Sequence, residues 1–372
     1  DLRPYQLEGY QWLSLLWDVR MGGILADDMG LGKTLQVLAM VQRAAEEGTL
    51  ADPVLIVAPT SVLSTWASEA ARFAPSLRSV ILERTRGKAK VPLADAVGDA
   101  QLVITSYAVA RIDEAAFRER SWSALVLDEA QFVKNHQSKT YQVMRRLPAT
   151  RRFALTGTPL ENSLMDLWSL LSLAAPGLYP RPTAFRDQWA RPIESGSDPD
   201  RLATLRRRIR PLMLRRTKEA VATELPPKQE QVLTVALQSR HRAVYDRHLG
   251  RERQRILGLI DDVEGNRFAI LRALTTLRLL ALDPVLVSPE YAGLGASAKI
   301  ETLVEHLTEL AAEGHRALVF SQFTGFLTMA REALEQAGLE TCYLDGSTRN
   351  RPEVIDRFRT GSADAFLISL KA

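Results

Sequence analysis

A lysine, a threonine and two acids carry the first chemical signal. In "GGILADDMGLGKT" (22–34), Gly30, Gly32, Lys33 and Thr34 match the end of the phosphate-loop pattern G-x-x-x-x-G-K-[ST], and Asp27 stands where that pattern has its first glycine. Glycines let backbone N–H groups converge on phosphate oxygens, and the start of the following helix adds partial positive charge. Lys33 is then placed to reach the β- and γ-phosphates of a nucleoside triphosphate, and the Thr34 hydroxyl to ligate Mg2+. A second stretch, "ALVLDEA" (124–130), ends an apolar run in Asp128 and Glu129. Acids at the carboxyl end of a strand lie where open α/β sheets bind ligands. Asp128 suits Mg2+, and Glu129 suits orienting or deprotonating an attacking water. "LTGTP" (155–159) ends a further apolar run with Thr156, Gly157 and Thr158, placed to sense the same site. Together these residues suit Mg2+-dependent hydrolysis of a nucleoside triphosphate, against the blander readings of a chance glycine-rich turn, a solvated acidic strand end and a plain turn.

Such residues need a parallel sheet to hold them. To about residue 160, helical patterns alternate with short apolar runs at 22–26, 53–59, 100–107, 124–130 and 151–159, which predicts a parallel sheet covered on both faces. From 161 to 295 helical periodicity takes over, broken at "APGLYPRP" and "ESGSDPD". From 296 strands and helices alternate again, ending in "AFLISLKA" (365–372). The expected organisation is an α/β unit at 1–160, a helical insertion at 161–295 and a second, incomplete α/β unit at 296–372.

Composition sets outer bounds. The 372 residues are 46% apolar and 25% charged, ordinary globular values, and no apolar run reaches the roughly 18–20 residues of a membrane span. The single cysteine, Cys342, leaves no intramolecular disulfide and no multi-cysteine zinc site, and points to a reducing intracellular setting. The opening "DLRPYQLEGY" has no signal pattern and no initiator Met, as expected of a segment from inside a larger protein. Net charge is +4, and arginine outnumbers lysine 39 to 9. Arginine suits phosphate oxygens, but a GC-rich genome produces the same excess. Five tryptophans, at 12, 17, 122, 168 and 189, fall within apolar patterns and are expected in the core.

With "DDMGLGKT" (27–34), "DEAQ" (128–131) and "LTGTP" in this order, the chain resembles the helicase-like ATPases of superfamily two, and more specifically the Swi/Snf branch of double-stranded DNA translocases and remodellers. The branch-specific stretches are "LRPYQLEGYQWL" (2–13), "APTSVLSTWASEAARFAP" (58–75), "PLMLRRTK" (211–218) with "LPPK" (225–228), "LVFSQFT" (318–324) and "YLDGST" (343–348). The resemblance implies two RecA-like parallel-sheet lobes with an α-helical insertion. It implies ATP and Mg2+ as cofactors and double-stranded DNA as partner, gripped by its backbone without regard to sequence. A DNA-bound protein complex would be the remodelling substrate, with a monomeric motor away from membranes; the Ala-, Leu- and Arg-rich composition points to a bacterial cytoplasm or nucleoid rather than a nucleus. By the same resemblance Gln6 recognises adenine, Asp28 belongs to the nucleotide loop, Gln131 joins Lys33, Asp128 and Glu129 in catalysis, and Thr156, Gly157 and Thr158 couple the site to motion. Thr60, Ser61, Ser106, Tyr107, Ser321, Gln322 and Phe323 become candidate contacts to the DNA backbone. Trp66 and Glu69 occupy family positions in the segment that touches it.

Some positions depart from the family pattern. "LRLLALDP" (277–284) has Leu279 where a glutamine and Asp283 where a histidine is usual, and His241 replaces a glutamine near Tyr245. The seven arginines within 201–216 are read either as a phosphate-gripping face or as structural, the latter favoured for Arg215 and Arg216. The resemblance places the arginine-finger motif after "LISLKA", so residues 1–372 alone are expected to bind ATP and hydrolyse it poorly. Two rival readings are a strand-separating or RNA-stimulated helicase and a nucleotide-gated DNA-binding scaffold with little turnover.

Overall fold

A computed structural model describes residues 2–158, 163–221, 230–257, 266–295 and 297–370. Pro159, the "LPPK" stretch and the closing Lys371 and Ala372 lie outside the described residues. The chain divides into two compact units, Asp1–Pro227 and Lys228–Ala372, so the division falls inside the helical stretch.

The first unit is built on seven parallel strands: β1 (Gly23–Leu25), β2 (Val54–Ala58), β3 (Ser79–Leu82), β4 (Leu102–Ser106), β5 (Trp122–Leu127), β6 (Ala149–Leu155) and β7 (Met213–Leu214). Their order in the sheet is β3-β4-β2-β5-β6-β1-β7. Strands β2, β4 and β5 are buried along their whole length, as a parallel sheet with both faces covered requires. Alternate side chains serve two cores. Leu55, Val57, Leu125 and Leu127 enter one, while Val54, Ile56, Ala124 and Val126 enter the other. The second core is closed by helices α1 (Pro4–Asp18), α2 (Lys33–Glu46) and α3 (Leu63–Phe73). The first core is closed by α4 (Tyr107–Ile112), α5 (Lys139–Arg146), α6 (Leu164–Ala174) and α7 (Pro199–Ile209).

Two strands are absent from the sequence expectation. β3 is a four-residue strand set between Arg78 and Glu83, and only Leu82 in it is fully buried. β7 has two residues and lies in a stretch read as helical. It is held by pairing with β1, Ile24 opposite Met213 and Leu25 opposite Leu214. Of the expected core tryptophans, Trp17, Trp122 and Trp168 are buried, and Trp12 and Trp189 are half-buried.

The second unit places β8 (Ala317–Ser321), β10 (Ala365–Ser369) and β9 (Thr341–Leu344) in a parallel sheet in that order. Its helices are α8 (Ser239–Leu257), α9 (Arg267–Leu282), α10 (Ala298–Ala312), α11 (Thr324–Gln336) and α12 (Arg351–Thr360). Ala365 and Leu367 of β10 pack with Leu307, Leu327 and Leu334, whereas Phe366 packs with Cys342 and Leu344 on the other face. The architecture is therefore α/β with two parallel sheets.

Candidate nucleotide site

Because the strands of the first unit all run parallel, the segments after β1, β2, β4, β5 and β6 leave the sheet on one side. The loop after β1 is the phosphate-loop candidate. Gly30 and Gly32 take left-handed φ of 84° and 77°, a conformation costly to residues with a Cβ. A Cβ at Gly32 would lie 2.5 Å from Gln6 Nε2. Gly32 is also the N-cap of α2 and supplies no side-chain cap, and the first turn carries no acid. The first N–H groups of that helix therefore remain available to an anion, with the helix dipole behind them. Lys33 Nζ donates to the carbonyls of Asp27 (2.7 Å) and Asp28 (3.2 Å). Burial pulls the pKa of this ammonium down, against the attraction of the Glu129, Asp27, Asp128 and Asp28 carboxylates. Thr34 follows on the first turn of α2, half-buried. Gln6 holds the loop from α1: its Nε2 donates to the Leu31 carbonyl (3.3 Å), and its Oε1 accepts from Arg3 N–H (3.0 Å).

Asp27, out of place in a phosphate loop, has a partner. Its carboxylate is fully buried and accepts from Arg216 Nε (3.0 Å), Nη2 (2.5 Å) and backbone N–H (3.1 Å). Arg216 also donates to the Tyr5 carbonyl and to Gln36 Oε1 (2.9 Å), and Gln36 Nε2 returns to Asp27 Oδ2 and to the carbonyls of Leu31 and Gly32, each at 3.3 Å. The neighbouring acid is engaged too, Asp28 Oδ2 accepting from Lys218 N–H (3.0 Å). "ADD" (26–28) and "LRRTK" (214–218) are thus zipped together, with Ala26 N–H on the Leu214 carbonyl (2.7 Å) and Asp28 N–H on the Arg216 carbonyl (3.0 Å). The pairing neutralises an acid that would otherwise repel phosphate. Arg216 is thus structural, as its segment suggests, and its partners Asp27 and Gln36 lie too far away in the sequence to be read from that segment.

At the end of β5, Asp128 Oδ2 accepts from Trp66 Nε1 (2.8 Å) and Oδ1 from Glu129 N–H (2.9 Å). Burial raises the pKa of this carboxyl, and the Trp66 hydrogen bond opposes the rise. Glu129 has φ +48°, a left-handed conformation that costs a residue with a side chain about 1 kcal/mol or more. Its Oε2 accepts from Gln131 Nε2 (2.8 Å), Gln131 Oε1 accepts from the Thr156 hydroxyl (3.3 Å), and Thr156 Oγ1 accepts from Thr158 N–H (3.1 Å). A Cβ at Gly157 would lie 3.2 Å from Met29 Cγ, so the turn after β6 rests against the phosphate loop. The structure therefore joins the "DEAQ" and "LTGT" residues by one chain of hydrogen bonds.

The candidate DNA contacts fare differently. Thr60 and Ser61 are exposed on a single turn before α3. Ser106 and Tyr107 are buried instead. Ser106 Oγ accepts from Val109 N–H and caps α4, while the Tyr107 hydroxyl donates to the Asp128 carbonyl (2.7 Å) and its ring stacks on Phe132 at 5.3 Å. Their side chains, read as DNA contacts, serve the fold and the acidic strand end. Trp66 also faces the acidic strand end, its indole N–H turning inward to Asp128. Glu69, one turn further along α3, is half-buried, and burial and the Asp128 charge raise its pKa. In the second unit Ser321 Oγ accepts from Phe323 N–H (3.1 Å). With its amide oriented to satisfy its neighbours, Gln322 accepts from Arg278 Nη2 (2.5 Å) and Nη1 (3.1 Å), and the Arg278 guanidinium lies 5.6 Å from the Phe323 ring centre. Among the other clustered arginines, Arg201 pairs with Asp198 (2.8 Å) and Arg208 covers Trp189, whereas Arg206, Arg207, Arg210 and Arg215 are exposed.

Residues 5–286 match the model of the SNF2-related domain, and residues 298–372 match the helicase conserved C-terminal domain. The chain belongs to the SNF2 family. It is similar over its whole length to the putative ATP-dependent helicase/translocase YwqA of Bacillus subtilis, at 34% identity. It is also similar, at 32% identity over 99% of its length, to the human SWI/SNF-related matrix-associated actin-dependent regulator of chromatin subfamily A member 1. The chain spans 41% and 36% of these relatives' lengths. Among solved structures it resembles the Sulfolobus solfataricus SWI2/SNF2 ATPase core in complex with dsDNA, with a TM-score of 0.57 and 32% identity, covering 99% of this chain and 78% of that one. The fold is that of the SNF2 ATPase core.

Two departures from the SNF2 pattern have structural accounts. Asp283 is 1% exposed, and its Oδ1 accepts from Val285 N–H (2.9 Å), starting a turn of 3-10 helix. His241 is buried with Nε2 2.5 Å from the Leu280 carbonyl, joining α8 to α9. Leu279 is half-buried on α9. Among the described residues no helix is long and apolar enough to cross a membrane.

Proposed function

We propose that this chain is the motor of an ATP-dependent translocase on double-stranded DNA, which remodels protein–DNA complexes without separating strands. The observation that carries the reading is the lock between Arg216 of "PLMLRRTK", the stretch that most marks the translocase branch, and Asp27 of the phosphate loop. A nucleotide loop braced by that stretch supports a duplex motor over a strand-separating helicase.

In this reading the α2 N-terminus and Lys33 bind the triphosphate, with Gln6 beside the loop for the adenine. Thr34 and Asp128 would hold Mg2+, which would draw off charge in phosphoryl transfer. A hydroxyl on the first turn and one fixed carboxylate fit that ion, which takes oxygen ligands from one or two carboxylates alongside substrate phosphates, while the uncapped helix N–H groups fit the phosphates themselves. Glu129 orients the attacking water. Gln131 holds the Glu129 carboxylate and transmits its position to Thr156 and Thr158, so the state of the site is felt at the end of β6. Thr60 and Ser61 in the first unit and Ser321, Gln322 and Phe323 in the second meet the DNA backbone, which explains indifference to base sequence.

ATP hydrolysis by the full-length protein, compared across duplex DNA, single-stranded DNA and RNA, tests the reading. Stimulation by duplex above the others is expected. Preferential stimulation by single strands or RNA would replace it with a helicase, and ATP-dependent duplex binding without turnover would replace it with a gated scaffold.

A further inference from the structure

Trp66 sits 1% exposed in the core closed by α3, yet its one polar atom leaves that core for the carboxylate of Asp128. Four other indoles in the chain donate to uncharged oxygens: Trp12 to the Pro211 carbonyl, Trp17 to Thr49 Oγ1, Trp122 to the Phe117 carbonyl and Trp168 to the Tyr179 carbonyl. A hydrogen bond to an ionised acceptor is about twice as strong as those between neutral groups, so it sets the orientation of the acceptor more firmly. The rest of Asp128 is held as well, Oδ1 by Glu129 N–H and the carbonyl by the Tyr107 hydroxyl. Glu129 N–H belongs to a neighbouring backbone that is itself in a left-handed turn. Of these contacts, Trp66 is the one that reaches the carboxylate itself from a separate element, the buried face of α3.

We propose that Trp66 is a positioning residue for the metal: its indole N–H fixes the Asp128 carboxylate in the orientation that binds Mg2+. The inference rests on the reading of Asp128 as the Mg2+ ligand. Partners that orient a metal ligand are worth about 10- to 100-fold in metal affinity. Because α3 begins at Leu63, directly after the turn that carries the exposed Thr60 and Ser61, the same bond links that turn to the proposed metal carboxylate.

The test is the Mg2+ dependence of nucleotide binding, read with a fluorescent ATP analogue. Trp66→Phe keeps an aromatic ring in the core and removes the N–H. It is expected to raise the Mg2+ concentration for half-maximal effect about tenfold and to leave the affinity in EDTA unchanged. Asp128→Asn supplies the scale. An altered Mg2+ dependence in Asp128→Asn with none in Trp66→Phe would overturn the inference while leaving the metal reading in place; no change in either would overturn both. A measurement on the unsubstituted side chain guards against a Trp66→Phe protein that does not fold. With nitrogen-15-labelled indoles, one tryptophan N–H resonance should shift when Mg2+ is added to the ATP-bound protein and stay still in Asp128→Asn. Indole resonances that all ignore Mg2+ would overturn the inference as well.

Discussion

The Arg216 guanidinium closes on the Asp27 carboxylate from 189 positions away in the sequence, with Nη2 and Oδ2 2.5 Å apart. Asp27 is 0% and Arg216 9% exposed, so neither charge has water as an alternative partner. Room for the pair comes partly from Gly9 on α1, where a Cβ would lie 2.6 Å from Arg216 Nη2. Removing one member of a buried pair leaves the other uncompensated, which costs about 3–5 kcal/mol. Arg216→Ala is therefore expected to lose that much stability in urea denaturation. Arg216→Lys should recover little, because a single ammonium cannot reproduce the fork that meets Asp27, Gln36 and the Tyr5 carbonyl. A neutral Arg216→Ala would remove the pair from its structural role.

The phosphate loop should lose nucleotide with its lysine. Hydrogen bonds to charged groups contribute about 1.5–3 kcal/mol each, so Lys33→Ala is expected to weaken ATP binding at least ~10- to 100-fold. Glu129→Gln should instead bind ATP normally and stall in turnover, since it removes the group that handles water but keeps the neighbouring Asp128. Equilibrium binding and single-turnover hydrolysis separate the two. Unchanged ATP affinity in Lys33→Ala would sink the site assignment.

Gly32 offers a test of loop geometry with no change of charge. Gly32→Ala places a Cβ on a residue at φ 77° and 2.5 Å from Gln6 Nε2. The left-handed conformation costs about 1 kcal/mol or more, and the contact forces Gln6 off the Leu31 carbonyl. A lower melting temperature together with weaker ATP binding is expected. A variant as stable and as tight as the wild type would contradict the described loop.

Glu69 gives a pH-dependent prediction. Burial first and the Asp128 charge second raise its pKa, so the folded state holds this proton more tightly than the unfolded state. Ionisation of Glu69 therefore costs stability as pH rises from the ordinary carboxylate range through the raised folded value, and the cost is complete above it. Glu69→Gln should stabilise the nucleotide-free protein near pH ~7, by under about 1 kcal/mol because the group is partly solvated. The gain should shrink toward pH ~3, below the unfolded pKa, where the carboxyl is protonated in both states. Thermal denaturation at the two pH values checks the sign.

The parts of this protein legible in the sequence were those encoded locally. The apolar runs of β1, β2, β4, β5 and β6, the glycines of the loop and the acids ending β5 announce themselves within a few residues of one another. What escaped depends on long-range partners. β7 has two residues and exists because β1 offers it an edge, and Arg216 gives no sign in its own segment that Asp27 is its target. Tyr107 and Trp66 escaped for a related reason. A polar aromatic just after a strand, like Tyr107, or within a helix, like Trp66, reads equally as a surface contact or as a buried donor, and only the fold brings Asp128 within 2.7 and 2.8 Å of them. Thr156, Gln131 and Glu129 were each legible, but their connection by hydrogen bonds was not.

In the proposed motor, ATP turnover at Lys33, Asp128 and Glu129 drives movement along duplex DNA. Displacement of a third strand from a triplex by the full-length protein measures that movement most directly. Displacement is expected to require ATP, to be lost in Glu129→Gln, to proceed over arbitrary duplex sequence and to leave a forked duplex unopened. Unwinding of the fork, or a triplex that stays intact while ATP is hydrolysed, would contradict the proposed motor.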